Sequence, residues 1–345
     1  MSARVSATNA AGSRPSFGVV FPATAEVETL PAFGQRTEAQ GFDELWVVED
    51  CFLSGGLVMA ATALAATRRL RVGLGLMAAP LRNPALAAME IATLARLHPG
   101  RFTAAFGHGV REWMAQSGAL PERRLAALAE VTSTVRALLA GDTVTSAGSH
   151  VQLTDVALAR APDPPPPILI GTTGPRGLAL AGALADGFLL AEGCGPAFIP
   201  RAVAQASAAA SGRGSPSAVV YAWLRVEDDD EHARTLLRPV LERWIEWGLF
   251  PEPAAAAGIV SPLSPGAVAR SLAAQVAVVG DPPACADSAL RFVEAGAATL
   301  VLVAIGGDHE RQYERFAREV LPQLRAESGE DRDAQRGERG DRPSD

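Results

Sequence analysis

A histidine stands between two glycines at Gly107-His108-Gly109, and further along runs Gly171-Thr172-Thr173-Gly174-Pro175-Arg176-Gly177. Imidazole titrates near neutrality, so His108 could take up or release a proton, although a lone histidine is more often structural or solvated. In the second stretch, the backbone N–H groups of Thr173, Gly174 and Arg176, the threonine hydroxyls and the start of a helix together favour an anion such as phosphate. Pro175 suits the first helical turn, where a missing N–H matters little. A plain helix cap and a solvated Arg176 are the competing reading. Gly73 and Gly75 close an apolar run at 70–77. Glycines at a strand end let backbone approach a flat or anionic ligand, and they also relieve crowding inside a barrel. Taken together, the three stretches imply a cofactor site at the strand-end face of a β/α barrel.

That face needs strands to carry it. Eight apolar runs have strand length: 16–21, 44–48, 70–77, 101–106, 168–170, 188–190, 219–224 and 300–305. Helical patterns fall at 25–40, 57–67, 175–184, 197–210, 231–248 and 309–324. Asn83-Pro84 opens another helix, with Ala87, Ile91 and Leu94 on one face, and His98-Pro99-Gly100 stops it. A further helix lies between Pro121 and Gly141, on Leu125, Leu128, Val135 and Leu138. Strands alternating with helices predict a parallel sheet, and eight strands close a TIM-type (β/α)8 barrel. An open doubly wound sheet would carry GxGxxG after its first strand, where this chain has Pro22-Ala23-Thr24. The expected organisation is a disordered leader at 1–15, one barrel domain at 16–325 and a disordered tail at 326–345. Segments 142–167 and 249–266 are read as insertions into the barrel.

Composition narrows the function classes. The 345 residues carry a net charge of −7 and contain no lysine, which gives no electrostatic case for nucleic acid. No stretch is apolar enough for a membrane span, and the N-terminus lacks the apolar centre of a secretory signal. Cys51, Cys194 and Cys285 are odd in number, widely spaced and without a CxxC pair. Reduced thiols in a cytoplasmic protein, with no metal site, are the economical expectation.

Four stretches, GFDELWVVEDCF, TRRLRVGLGLMAAPLRNPALAAMEIATLARLHPGRFTAAFGHG, PPILIGTTGPRGLALAGALADG and AGAATLVLVAIGGD with FAREVLPQLR, occur in this order. In them the chain resembles the bacterial-luciferase-like superfamily of flavin and deazaflavin oxidoreductases, most closely its coenzyme F420-dependent, methylenetetrahydromethanopterin reductase-like branch. The resemblance implies a TIM-type barrel with an insertion, usually a homodimer. It implies a non-prolyl cis peptide at Gly75–Leu76 behind the cofactor ring, and a phosphate grip at Gly171, Thr172, Thr173, Gly174, Pro175 and Arg176. Gly107, Gly109 and Glu192 join Gly75 and Leu76 as implied cofactor contacts. Asp50 and Cys51 end the second strand where relatives often carry Asp-His, so Asp50, Cys51 and His108 are the candidate catalytic residues.

The chain also departs from that pattern. Cys51 replaces the histidine, and Val110 stands near the place of an acid that the sugar-phosphate dehydrogenases of this branch use for alcohol oxidation. Glu192 and Cys194 occupy a region where that branch has a hydroxyl and a lysine for phosphate. The resulting expectation is hydride transfer between F420 and a small organic substrate. One alternative is a reduced-FMN-dependent, oxygen-using monooxygenase served by a separate flavin reductase; another is a non-catalytic flavin- or partner-binding barrel. Trp46, Trp113, Phe198 and Trp223 could give the mouth aromatic surface, though each also suits a core.

Overall fold

The computed structural model describes residues 14–212, 214–246, 251–259, 263 and 268–327. Residues 1–13, 213, 328–345 and much of 247–267 lie outside the described residues, and with them most of the expected leader and tail and eight residues of the second expected insertion.

Short apolar segments without helix-forming spacing become strands: β1 (Ser16–Val20), β2 (Glu44–Val47), β3 (Arg71–Ala78), β4 (Phe102–Gly107), an antiparallel hairpin of β5 (Val144–Ala147) and β6 (Gln152–Val156), then β7 (Ile168–Gly171), β8 (Gly187–Leu190), β9 (Ser217–Val226), β10 (Ala277–Gly280) and β11 (Thr299–Ala304). The parallel order β11-β1-β2-β3-β4-β7-β8-β9 closes on itself through β9–β11 pairing, with β10 laid along the far half of β9. This is the closed eight-stranded barrel read from the sequence. Its strands include all eight of the expected runs.

Helices α1 (Leu30–Ala39), α2 (Gly56–Ala66), α3 (Pro84–Leu97), α4 (Arg111–Gln116), α5 (Arg124–Leu139), α6 (Pro175–Leu184), α7 (Ile199–Ala209), α8 (Asp230–Glu246), α9 (Pro251–Ala256), α10 (Arg270–Ala273), α11 (Pro282–Glu294), α12 (His309–Arg315) and α13 (Leu321–Glu327) complete the chain. A π-helical turn at Phe316–Val320 joins the last two. Asn83 caps α3 as expected, its side chain accepting from the Ala85 N–H at 2.9 Å. Three differences concern extent. Helix α1 starts later than the expected 25, behind a 3-10 turn at Val27–Thr29, with Pro31 inside its first turn. Residues 142–167 hold no helix, as expected, but carry the β5–β6 hairpin, which the expectation lacked. Elements β10 and α11 were absent from the sequence reading altogether.

The barrel interior is filled rather than hollow. Val20, Trp46, Ala105, Leu169, Leu189, Val219, Tyr221 and Val301 meet along its axis. Trp46, wholly buried, donates from Nε1 to Glu44 at 2.8 Å, and Glu44 in turn binds Arg71 at 2.8 Å near the strand starts. Outside the barrel, the main core packs helices against the outer faces of the strands. Among the described residues no helix is long and apolar enough to cross a membrane.

Close helix packing depends on Gly182, where an added Cβ would lie inside van der Waals contact of the Ala206 carbonyl on α7. Backbone cannot yield there as a side-chain tip would. Gly182→Ala should therefore lower the unfolding free energy by about 1–3 kcal/mol, read as a shift in urea midpoint at unchanged slope.

Candidate active site

Strand β3 shapes the mouth. Its pairing with β4 runs in register to Leu74–Ala104 and resumes at Met77–Phe106, so Gly75 and Leu76 form a bulge at the strand end. The Gly75–Leu76 peptide is cis, as the resemblance implied; a second non-prolyl cis peptide, Cys51–Phe52, had no sequence signal. Below the bulge, a Cβ on Gly73 would enter the Trp46 ring, and one on Gly75 would lie 2.5 Å from the Tyr221 hydroxyl. Tyr221 packs edge-on to Trp46, ring centres 5.7 Å apart, and its hydroxyl donates to the Gly75 carbonyl at 3.4 Å. Above the bulge, Leu76 lies across the ends of the next two strands. A Cβ on Gly107 would come 2.5 Å from it, and one on Gly171 would also clash with it. Three adjacent strands thus end in backbone at one level, which makes a flat floor.

The turn after β7 ends beside this floor. Thr172 spends its N–H on Leu189 at 3.1 Å, and the Leu178 N–H closes the first helical bond onto Gly174 at 2.9 Å. No side chain caps α6. The N–H groups of Thr173, Gly174, Arg176 and Gly177 are thereby left over at the positive end of a helix dipole. Gly177 packs on the Thr172 hydroxyl, whereas a Cβ on Gly174 would meet nothing within 4 Å. An uncapped helix start opening on empty space fits a phosphate group, so these residues could hold the tail of a ring cofactor.

The titratable groups gather on the same face. Asp50 follows β2, and burial raises its carboxyl above the ordinary aspartate range. Across the barrel Glu192 follows β8; burial raises it first, and the charge of Asp50 adds to that. Neither carboxylate has an ion-pair partner among the described residues. Burial, helped by Glu49 and Asp50, holds the Cys51 thiol protonated, and burial pushes Cys194 up further. His108 closes β4 with its Nδ1 buried and without a hydrogen-bond partner. Burial and then the Arg124 guanidinium lower its pKa, so the ring is neutral at pH 7. Arg124 itself, at the start of α5, donates to the Gly109 carbonyl at 3.1 Å.

Sequence reasoning missed three supports. Glu49 receives both Arg82 Nη1 at 2.5 Å and Nη2 at 2.6 Å, and accepts from the Gly56 N–H at 2.9 Å. That carboxylate closes the base of the loop carrying Asp50 and Cys51. Tyr221 and Arg124 are the others; an aromatic in a strand and an arginine at a helix start had no distinguishing pattern. Of the candidate rim aromatics, Trp46, Phe198 and Trp223 are buried and Trp113 is half-buried. Among the described residues no cluster of three or more His, Cys, Asp or Glu is disposed to hold a metal.

The luciferase-like monooxygenase family model matches residues 4–299. The chain belongs to this family. A curated member, the F420-dependent glucose-6-phosphate dehydrogenase of Beutenbergia cavernae, is 30% identical over 318 residues, covering 86% of this chain and 93% of its own. The 5,10-methylenetetrahydromethanopterin reductase of Methanolobus tindarius is 27% identical, covering 89% and 99%. Among solved structures, the coenzyme F420-dependent tetrahydromethanopterin reductase from Methanopyrus kandleri superposes with a TM-score of 0.74 at 19% identity, over 90% of this chain and all of that one. That likeness carries the family fold.

His108 supplies a pH signature. Because its folded pKa lies below the ordinary histidine value, only the unfolded chain takes up a proton between those two pH values. Stability contributed by neutral His108 is therefore complete above the ordinary histidine pKa of about 6.5 and declines as pH falls toward the folded value. His98 and His309, lowered by burial, act in the same direction. Histidine NMR should place the His108 midpoint below that of a free imidazole, and urea midpoints should fall between pH 7.5 and 5.5 by less in His108→Asn.

Proposed function

We propose that this protein is an oxidoreductase that transfers a hydride between coenzyme F420 and a small organic substrate. The observation that carries the reading is one face holding both the backbone floor at Gly75–Leu76, Gly107 and Gly171 and the uncapped α6 turn. A planar ring with a phosphate-bearing tail needs those two surfaces side by side. Family membership and F420-dependent relatives support the choice of cofactor.

When bound, the deazaflavin ring supplies the hydride chemistry. Gly75 and Leu76 would back the ring, with Gly107 and Gly109 bordering it. Gly171, Thr172, Thr173, Gly174, Pro175 and Arg176 hold the phosphate through main-chain amides and hydroxyls. His108, half-buried and neutral at pH 7, accepts or returns the substrate proton through its ring. Asp50 orients the substrate oxygen through a hydrogen bond. Cys51, protonated beside Asp50, serves as a compact wall and not as a nucleophile. Glu192, following β8, would serve the ring rather than the phosphate, since an ionised carboxylate beside an anionic tail would repel it.

Gly174 has ordinary backbone torsions (φ −78°) and open space, so an aspartate there would cap α6 and leave the fold intact. Its charge would meet the phosphate directly. Gly174→Asp should abolish F420 binding in a titration of apo-protein, and His108→Ala should bind F420 normally but turn over at least about tenfold more slowly. Equal binding by wild type and Gly174→Asp would reject the grip. Preference for FMN, with oxygen-dependent turnover, would instead favour the monooxygenase reading.

We also infer a homodimer, in the cytoplasm. Helix α2 carries no charged residue, and its Val58 is 73% exposed; on α3, Leu86, Met89 and Leu97 are exposed at 55%, 51% and 67%. Residues 86, 89 and 97 share one helical stripe. Exposed apolar side chains on two neighbouring helices, with Glu90 and Thr93 among them on α3, suit a second copy of itself. Light scattering should give twice the chain mass, and Val58→Glu with Leu86→Glu should reduce it to one.

A further inference from the structure

Eight large apolar side chains are exposed among the described residues. Four belong to the α2–α3 stripe and one, Val27, to the turn before α1. The remaining three sit elsewhere: Phe52 at 68%, Leu53 at 59% and Val110 at 43%. Phe52 and Leu53 follow Asp50 and Cys51 on the loop after β2. Val110 follows His108 and Gly109 on the loop after β4, ahead of the half-buried Trp113. Strands β2 and β4 are the two neighbours of β3 in the barrel. The exposed apolar groups therefore flank the Gly75–Leu76 floor on both sides, each next to a polar residue of the site.

The charges of the mouth point the same way. Asp50 and Glu192 face it without a cationic partner among the described residues, so an anion between them finds no counter-charge. Arg124 is the cation nearest His108, and its guanidinium is turned to the Gly109 carbonyl.

We propose that the substrate is an uncharged alcohol or carbonyl compound with a hydrocarbon body, which lies on Phe52, Leu53 and Val110 while its oxygen meets His108 and Asp50. This rests on the mouth being the substrate site as proposed above, and it narrows the substrate class to apolar, non-anionic molecules. A phosphorylated sugar, the substrate named for the Beutenbergia cavernae relative, is the contrary case.

The test is a binding series on the full-length protein with F420 present, read by saturation-transfer NMR so that affinity is measured apart from turnover. The probes are methyl ketones from butanone to octanone, carboxylates of matched length, and glucose 6-phosphate. Ketone affinity should rise by about twofold to fourfold per methylene, as burial of hydrocarbon requires. Carboxylates of equal length should bind at least about tenfold more weakly. Phe52→Ser with Leu53→Ser, both exposed and so tolerated by the fold, should flatten the ketone series. Val110→Ser should reduce its slope, and Val58→Ser on the α2 stripe should leave it unchanged.

Tighter binding of glucose 6-phosphate or of the carboxylates overturns the proposal, as does a ketone slope indifferent to Phe52 and Leu53. A ketone series that holds without F420 turnover would sink the hydride-transfer reading and leave this inference standing. Turnover of F420 with glucose 6-phosphate and no ketone series would do the reverse.

Discussion

The packing of Trp46 against two glycines underlies the site. A tryptophan inside an eight-stranded barrel displaces the side chains that would otherwise fill the axis, and β3 accommodates it only because Gly73 and Gly75 present bare backbone. Tyr221 then closes over the indole edge and fixes the Gly75 carbonyl. With the interior full to that level, the next residue of β3 cannot continue inward. Leu76 instead turns across the strand ends, where Gly107 and Gly171 make room for it. The mouth owes its flatness to one large residue below and three small ones around.

Electrostatically the mouth is held in a low-charge state. Burial raises Asp50 and Glu192, keeps Cys51 protonated and lowers His108, so every shift favours the neutral form. The paired charges lie elsewhere, as in Arg82 with Glu49, Arg71 with Glu44, and Arg315 with Glu319. Those pairs brace loops and strand starts. The chemistry is thus left to groups whose surroundings favour their uncharged forms, within a frame whose permanent charges are already satisfied.

Much of this could be read along the chain. Strand length and apolarity located all eight barrel strands, because a parallel barrel buries both faces and needs uninterrupted apolar runs. The start of α6 was legible in Pro175, whose fixed backbone suits a first helical turn. What escaped was non-local. Strand β10 is four residues that pair with β9 beyond the end of β8, and nothing in Ala277–Gly280 records that edge. Arg124 meets Gly109 across 15 residues, and Tyr221 meets Gly75 across 146. Side-chain partnerships of that kind are set by barrel closure, which spacing in the sequence does not encode.

The Glu49 carboxylate grips Arg82 from β3's exit and the Gly56 amide at the head of α2. The six intervening residues, 50–55, therefore form a short arch anchored at both feet by a single side chain. Such an arch is a cassette: its crown can be lengthened or recoloured through evolution at little entropic expense, because the closure is already made at its base. Diversification of specificity on this scaffold can proceed there without disturbing the barrel beneath.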